Sequence, residues 1–468
     1  MVLHSLNHIF RKSGSSWVEF VRKTGVENLL IVGVDVGKYS HKGMICSFYG
    51  DILVKPFDFA NSNSGFRTLE SKINAVKSRL GAREVVVGVE ATGHYHENLV
   101  SKCFKAGYRV RVLNAVNTAQ VRKRFLNRSK TDNLDLRIIV DSVRSGWGND
   151  SLPPEGVIRD LQKLDRARRS LVNERTRLKN KIRTNVDHIF PEFQGKEIWE
   201  NGKKRKVKPF SNLFGKASRY IMRHCLHPSD ILALGEKGLR ELSVKENLKL
   251  RDSNIQTLLE FAEDSIARPK EEVEVYLFLL KHELEALELK DKQIKELERK
   301  IEDLYVQSEG AVLLSVPGIG VVTGAALYAE MGDLSKIDYA GQLIKMAGTN
   351  PVVKQSGGKR ATYMAISKQG RRNFRNVVYL IGRSLAENNP EMKKKYHEFI
   401  KRGKFPGQAY IALGNRMIRI AFSMIKNQTL YRTNHENYDL HREIKKKLQS
   451  ANAKRFFERY VKPSSLVA

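Results

Sequence analysis

The sequence predicts an α/β domain on a mixed sheet, then an α-helical coiled-coil region, then a mostly α-helical C-terminal part. Three observations predict this. Short apolar runs lie close together over residues 29–59. Strand-like and helix-like patterns then alternate to residue 146. Beyond Pro153-Pro154, long charged stretches carry leucine and isoleucine at helical spacing.

Residues 1–28 read as a basic N-terminal extension. MVLHSLNHIFRKSG is too short and polar for a secretory signal, and reads as a disordered arm rather than a targeting helix. LLIVGVDV, HKGMICSFYG and ILVKPFDF then read as three strands. Their links, Gly37 to Ser40 and Gly50-Asp51, are too short for crossovers and predict hairpins. Over 64–80, Leu69, Ile73, Val76 and Leu80 share one helical face. EVVVGVEATG reads as a fourth strand, 97–106 as a helix and YRVRVLN as a fifth strand, with helices near 115–126 and 131–146. The order βββ-α-β-α-β-α over 29–148 is that of a ribonuclease H-like fold.

Residues 149–194 read as a basic helix and linker. RDLQKLDRARRSLVNERTRLKNKIR at 159–183 holds ten basic residues against three acids. Leu161, Leu164, Leu171 and Leu178 give it a packing face, and the excess positive charge favours phosphate contact over a merely solvated surface. Residues 195–269 are the least readable. They contain KKRKVK at 203–208, five basic residues in six positions, which in isolation mimics a nuclear signal and reads equally as a loop touching phosphate or a solvated loop. In 270–308, Leu277, Leu280, Leu284 and Leu287 step 3-4-3, as do Ile294, Leu297, Ile301 and Leu304, with a three-residue slip between the blocks. This is a coiled-coil helix whose partner is either a second copy or the 159–183 helix. Residues 309–430 form the C-terminal domain. Its SVPGIGVVTGAALYAEMGD resembles a helix-hairpin-helix element, and 369–388 and 408–427 also read as helical. A basic tail, 431–468, ends the chain.

Charge narrows the function. Lys plus Arg is 83 against 51 for Asp plus Glu, a net +32, and residues 309–468 alone hold 28 basic and 11 acidic residues. That balance fits a nucleic-acid partner better than a membrane or a small metabolite. No apolar run approaches the roughly 20 residues that span a bilayer. Cys46, Cys103 and Cys225 lie far apart with no C-x-x-C, so neither a disulfide framework nor structural zinc is expected, which fits a reducing cytoplasm. His224, Cys225 and His227 lack a fourth ligand at useful spacing and read as an ordinary loop.

The chemistry is expected at four acids. A lone carboxylate in a buried strand is costly, so Asp35 at the end of LLIVGVDV needs a partner. Glu90 ends the fourth strand, expected beside the first. Asp132 and Asp135, spaced i, i+3, share a helix face. Singly, each reads as a surface or capping residue. Together they converge at one end of the sheet, where like charges about 4 Å apart repel by about 4 kcal/mol at an effective dielectric near 20. Mg²⁺ prefers such oxygen ligands, and two ions about 4 Å apart clamp a phosphodiester for displacement.

GVDVGK, GVEATGHY, KTDNLDLR, SVPGIGVVTGAALYAEMGD and MAGTNPVVKQSGGKR with ISKQGRRNFR resemble the DEDD transposases of the insertion-sequence 110 family, over about 29–148 and 309–430 and in the family's order. The resemblance implies a RuvC-like N-terminal domain, a coiled-coil linker and a helical transposase domain. It implies a recombinase with an acid tetrad that uses Mg²⁺ (two ions, Mn²⁺ substituting), a serine nucleophile and guidance by a structured noncoding bridge RNA. Position by position the tetrad is Asp35, Glu90, Asp132 and Asp135. The serine is Ser356, before Gly357-Gly358, with Ser367 the main rival. A serine hydroxyl needs a base or metal to activate it. Partners are then donor and target DNA, the guide RNA and other copies in a homo-oligomer. Expected backbone contacts are Arg166, Arg168, Arg169, Lys179 and Lys181 in the basic helix, and Lys359, Arg360, Lys368, Arg371, Arg372 and Arg375 around the serine. His94 and Tyr95 follow Glu90 without an assigned catalytic role. The sequence departs from the family in its first 28 residues and in the long span before the coiled coil.

Three other readings compete. A RuvC-type Holliday-junction nuclease would use the acids and water alone, and would survive Ser356→Ala. An actin-like kinase needs a second Gly-rich phosphate loop, which is missing. A non-catalytic nucleic-acid-binding protein would not need all four acids.

Overall fold

The computed structural model describes residues 14–91, 93–122, 132–148, 156–200, 202–352, 355–356, 359–360, 365–433, 435–436 and 438–461. The chain divides into two units, Met1–Glu155 and Gly156–Ala468.

The first unit opens with α1 (Gly14–Thr24), followed by β1 (Leu29–Val36), β2 (Ser40–Ser47) and β3 (Ile52–Ala60). Next come α2 (Asn63–Leu80), β4 (Glu84–Glu90), α3 (His96–Lys105), β5 (Arg109–Leu113), α4 (Ala115–Arg122) and α5 (Asp132–Arg144). The sheet order is β3-β2-β1-β4-β5. The short links make β1–β2 and β2–β3 antiparallel, while the helical crossovers make β1–β4 and β4–β5 parallel. Alternation sorts the central strands onto two faces. Leu30, Val32, Val34, Val85, Val87 and Val89 pack with Leu69 and Ile73 of α2 and Val100 of α3. Leu29, Ile31 and Val86 pack with Leu136, Ile139, Val140 and Val143 of α5.

Two glycines let α5 settle on that second face. Gly33 and Gly88 are paired in register. A Cβ on Gly33 would lie 2.8 Å from Val140 Cγ2 and 3.1 Å from the Leu136 carbonyl, and one on Gly88 would lie 2.5 Å from Val143 Cγ2.

The first thirteen residues, read as an arm, lie outside the described residues. The rest of the N-terminal extension is not wholly an arm, because α1 buries Trp17 in the α5-side core. Trp17 Nε1 donates to the Arg144 carbonyl (3.3 Å). The buried Arg111 guanidinium lies over its ring and donates to the carbonyls of Gly146, Trp147 and Gly148.

The second unit is organised on two long helices, α6 (Gly156–Ile189) and α10 (Lys270–Val306). Between them lie the hairpin β6 (Lys196–Glu200) and β7 (Lys203–Val207), then α7 (Lys216–His224), α8 (Pro228–Lys245) and α9 (Asp252–Glu263). The long helices run antiparallel, as the pairs Arg168–Glu298, Arg175–Asp291 and Asn185–Glu283 show. The basic helix is therefore α10's partner within the chain. The expected three-residue slip is absent. Leu284, Leu287, Asp291 and Ile294 step 3-4-3, and Asp291 stands where an apolar residue would sit, paired with Arg175 (3.2 Å) and Arg219 of α7 (2.8 Å).

The helix pair spans two cores. One holds Ile182, Val186 and Phe190 with Leu280, Leu284 and the 221–262 helices. The other holds Leu161 and Ile301 with the C-terminal helices. These are α11 (Val321–Met331), α12 (Ala340–Ala347), α13 (Arg372–Asn388), α14 (Pro390–Lys401), α15 (Pro406–Asn427), α16 (Leu440–Lys447) and α17 (Ser450–Tyr460), with short strands β8 (Gln355–Ser356) and β9 (Lys359–Arg360) between α12 and α13. Cys225 is buried, and His227 hydrogen-bonds Ser229 and the Arg268 carbonyl, so the 224–227 cluster is structural.

Candidate active site

Asp35 is the penultimate residue of β1, and Glu90 is the last of β4. Val34 pairs with Val89, so Asp35 and Glu90 follow as neighbours on parallel strands, whose usual spacing is about 4.8 Å. Both are half-buried. Both lie two residues beyond the paired glycines, on the face covered by α5. Across the sheet Asp35 is in register with Lys42.

Helix α5 runs back along this face. Its last residue, Arg144, donates to the Phe48 carbonyl (2.7 Å), just past the end of β2 beside the start of β1. Its opposite end therefore begins near the carboxyl ends of β1 and β4. Asp132 is the first residue of α5, and its side chain lies outside the described residues. Asp135 is one turn on, its side chain 14% exposed, with Oδ1 accepting from Arg122 Nη2 of α4 at 2.5 Å. The fold thus brings Asp35 and Glu90 together and starts the helix of Asp132 and Asp135 at the same end. Among the described residues, no three His, Cys, Asp or Glu side chains form a ready metal cage. The rings of His94 and Tyr95 meet at a tilt (centroids 4.4 Å apart, planes 41° apart) just before α3.

In the second unit, Ser356 lies in a two-stranded arm. Ser367 N donates to the Asn350 carbonyl (2.9 Å) and Val352 N to the Ala365 carbonyl (2.8 Å); Pro351 bridges Ile366, and Ser356 pairs with Lys359. Residues 357–358 and the side chains of Ser356, Lys359 and Arg360 lie outside the described residues. The base of the arm is firmly held. Thr349 Oγ1 donates to Asn415 Oδ1 (2.6 Å), and Ser367 Oγ donates to Asn350 Oδ1 (2.7 Å). Ser367 thus has a structural use for its hydroxyl.

The basic positions divide into two groups. Arg375 donates to the carbonyls of Ala347 and Lys368, and Arg371 to the carbonyl of Glu330, so both hold the base of the arm. Arg168 pairs with Glu298 and Arg169 with Asp165, while Lys179 lies over the Phe214 ring. Arg166, Lys181, Lys368 and Arg372 are exposed. A cavity of about 650 Å³ beside the start of α11 adds Lys295, Arg299 and Lys446 around Gly318 and Gly320.

Glu330 was not anticipated. It is 2% exposed, its Oε2 has no hydrogen-bond partner, and burial pushes its carboxyl up despite Arg371 at 4.0 Å. The signal was present: one acid inside the apolar VVTGAALYAEM, the same anomaly that marked Asp35.

Two family models match the chain. Residues 32–191 match the DEDD model of the IS110 family, described as a transposase, and 310–397 match the transposase IS116/IS110/IS902 family; together they cover just over half of the chain. The chain is 25% identical over 407 residues to an uncharacterized 44.8 kDa protein of insertion element IS116 from Streptomyces clavuligerus, covering 86% of this chain and 95% of that one. It is 24% identical over 413 residues to a 43.6 kDa protein of IS110 from Streptomyces coelicolor, with the same coverage. It is also 29% identical over 148 residues to the transposase of IS1328 from Yersinia enterocolitica, covering 30% of this chain and 42% of that one.

Fold, charge and these matches define a transposase, an enzyme that cuts and rejoins DNA. Its DEDD domain implies a ribonuclease H-like fold, with which the mixed five-stranded sheet agrees. The chain belongs to the IS110 family of insertion-sequence transposases.

Proposed function

We propose that the protein is a site-specific recombinase of a mobile element that uses the carboxylates of Asp35, Glu90, Asp132 and Asp135 and the hydroxyl of Ser356, and that a structured noncoding RNA supplies its target choice. The observation that carries this is the position of Asp35 and Glu90, each the next residue after the paired Val34 and Val89 on adjacent strands, under a helix that starts with the other two acids. This all-oxygen donor set fits hard divalent cations: two Mg²⁺ ions, with Mn²⁺ substituting, would neutralise the carboxylates and polarise a scissile phosphate.

The chain's own residues supply the rest. Asp35 and Glu90 are fixed by the sheet. Asp135 is held by Arg122, an ion pair it would give up to help hold a cation. Ser356 Oγ attacks phosphorus, and its proton passes in net to the departing deoxyribose oxygen. A P–O bond to one deoxyribose breaks, leaving a phosphoserine ester and a free DNA hydroxyl, and attack by the hydroxyl of a second strand reverses the step. Exposed Arg166, Lys181, Lys368 and Arg372 hold DNA or RNA backbone. Strand exchange between two duplexes calls for a homo-oligomer. The case for one rests on that chemistry, because α10 already pairs within the chain.

The test is recombination between donor and target plasmids, with the element's flanking noncoding DNA present. Asp35→Asn abolishes strand transfer and leaves nucleic-acid binding near normal. Denaturing gels trap a protein–DNA adduct that maps to Ser356. An adduct at Ser367, or full cleavage by Ser356→Ala, overturns the nucleophile; the second result points to a junction nuclease using water. Sequencing co-purified nucleic acid tests guidance: one discrete flank-encoded RNA supports it, and a random mixture opposes it.

A further inference from the structure

The 203–208 run has no place in the chemistry above, and it lies between the two stretches matched by the family models. It forms β7 and the residue beyond, and its placement makes a surface of distinct character.

Residues 196–208 hold six basic and two acidic side chains. Lys203 to Lys206 are all exposed. Opposite Lys204 in register stands Trp199, 71% exposed. A large aromatic side chain left in water on a hairpin is unusual, because burial of such a ring is strongly favourable. Strand alternation puts Trp199, Lys204 and Lys206 on one face, with Glu197 their acidic neighbour. Glu197 is already tied to Lys204 at 2.9 Å. The face leads into a cavity of about 300 Å³ at the root, lined by Lys206, Lys208, Arg183 and Phe214, with Arg183 and Lys179 lying over the Phe214 ring.

The hairpin is also well anchored. Lys196 pairs with Asp264, and Asn254 Nδ2 donates to the Pro209 carbonyl (2.6 Å). Presentation of an aromatic ring among lysines, from a hairpin tied at its root, is the arrangement that binds unpaired nucleotides. The ring stacks on a base of any sequence, and the ammonium groups hold the phosphates on either side.

We propose that the β6–β7 hairpin is an accessory binding site for single-stranded nucleic acid, in which Trp199 stacks on an unpaired base and Lys204, Lys206 and Lys208 hold the adjoining phosphates. A duplex offers no exposed base face to Trp199, so the site discriminates against it. This stands apart from the acid tetrad and Ser356, and its test reads binding rather than recombination.

Full-length protein is titrated with a labelled 12-nucleotide strand as RNA, as DNA and as the DNA duplex. Stacking on one aromatic side chain corresponds to roughly a tenfold loss of affinity on its removal. Trp199→Ala therefore weakens single-strand binding about tenfold and leaves duplex binding unchanged, while Trp199→Phe keeps most of the affinity. Lys206→Gln lowers the salt slope for single strands by about 0.7. Ultraviolet crosslinks from the strand map to residues 196–208 and disappear with Trp199→Ala. A greater loss for RNA than for DNA, or the reverse, names the strand, and either supports the site. Unchanged single-strand affinity and crosslinks in Trp199→Ala overturn it, as does an equal loss for single strand and duplex. Trp199 is exposed, so the variant keeps the parent's fold, and thermal unfolding checks this.

Discussion

Two acids in apolar surroundings carry different meanings. Asp35 lies near the carboxyl end of the central strand β1, beside a second carboxylate at the end of β4, whereas Glu330 is buried near the end of α11 with one carboxylate oxygen lacking a hydrogen bond. Burial raises the Glu330 carboxyl, so the folded protein holds that proton more tightly than the unfolded chain. Stability from this group is therefore fully present below the unfolded carboxyl's ordinary range and is lost as pH rises towards the raised folded value. Glu330→Gln removes that loss. Its melting temperature, compared with wild type at each pH, gains as pH rises from about 4 to neutrality, by the reference value for glutamate. An unchanged difference across that range would sink the assignment. Apolar context reveals both acids in the sequence, but their roles depend on register and depth, which a single chain's pattern does not carry. Ser367 is similar: ISKQG reads as a rival nucleophile until Asn350, seventeen residues away, is seen to accept its hydroxyl.

At the scale of elements, β1 to β5 were legible because turn residues and alternation specify hairpins and crossovers locally. The fit of α5 onto the sheet is written in two glycines. Gly33→Ala places a methyl 2.8 Å from Val140 Cγ2, and α5 must lift. Overpacking of this kind costs about 1–3 kcal/mol. We expect a lower melting temperature and a strand-transfer rate reduced well beyond the loss of folded protein, because Asp135 moves with α5; DNA binding is retained. The α6–α10 pairing was harder to read. A 3-4-3 pattern specifies a seam but not its partner, and Asp291 broke the apolar row so that it read as a slip. Although burial opposes the charge, hydrogen bonds from Arg219 and Arg175 hold the Asp291 carboxyl below its usual range. Its contribution is present above the unfolded carboxyl's range and is lost as pH falls through the lowered folded value. Asp291→Asn unfolds more readily at neutral pH than wild type, and the difference closes on acidification. A gap that persists at low pH refutes this. Helix α1 leaves little trace in the sequence because GSSWVEFVRKT offers one strongly buried side chain, Trp17, whose pocket is built 129 residues later around Gly146.

At the scale of the molecule, the net charge of +32 governs how partners are found. Contacts with six to ten phosphates would lower DNA affinity by about 10³–10⁵ between 50 and 200 mM salt. Filter binding across that range measures the slope, and a flat response would exclude backbone contact as the main attraction. Among the described residues no helix is long and apolar enough to cross a membrane. Charge was legible from composition, but its distribution was not: Arg168, Arg169, Arg371 and Arg375 are engaged internally, while the exposed lysines of β7 lie outside both family matches.

The antiparallel pair of long helices also acts as a ruler. Helix α6 has 34 residues, so it is about 51 Å long at 1.5 Å per residue. The β6–β7 hairpin stands at one end and the helical body carrying the Ser356 arm at the other. At 3.4 Å per base pair that length corresponds to about 15 base pairs of duplex. A nucleic acid that touches both ends at once must span at least that distance, so a 12-nucleotide probe reports on one end alone and only a longer strand can bridge the two.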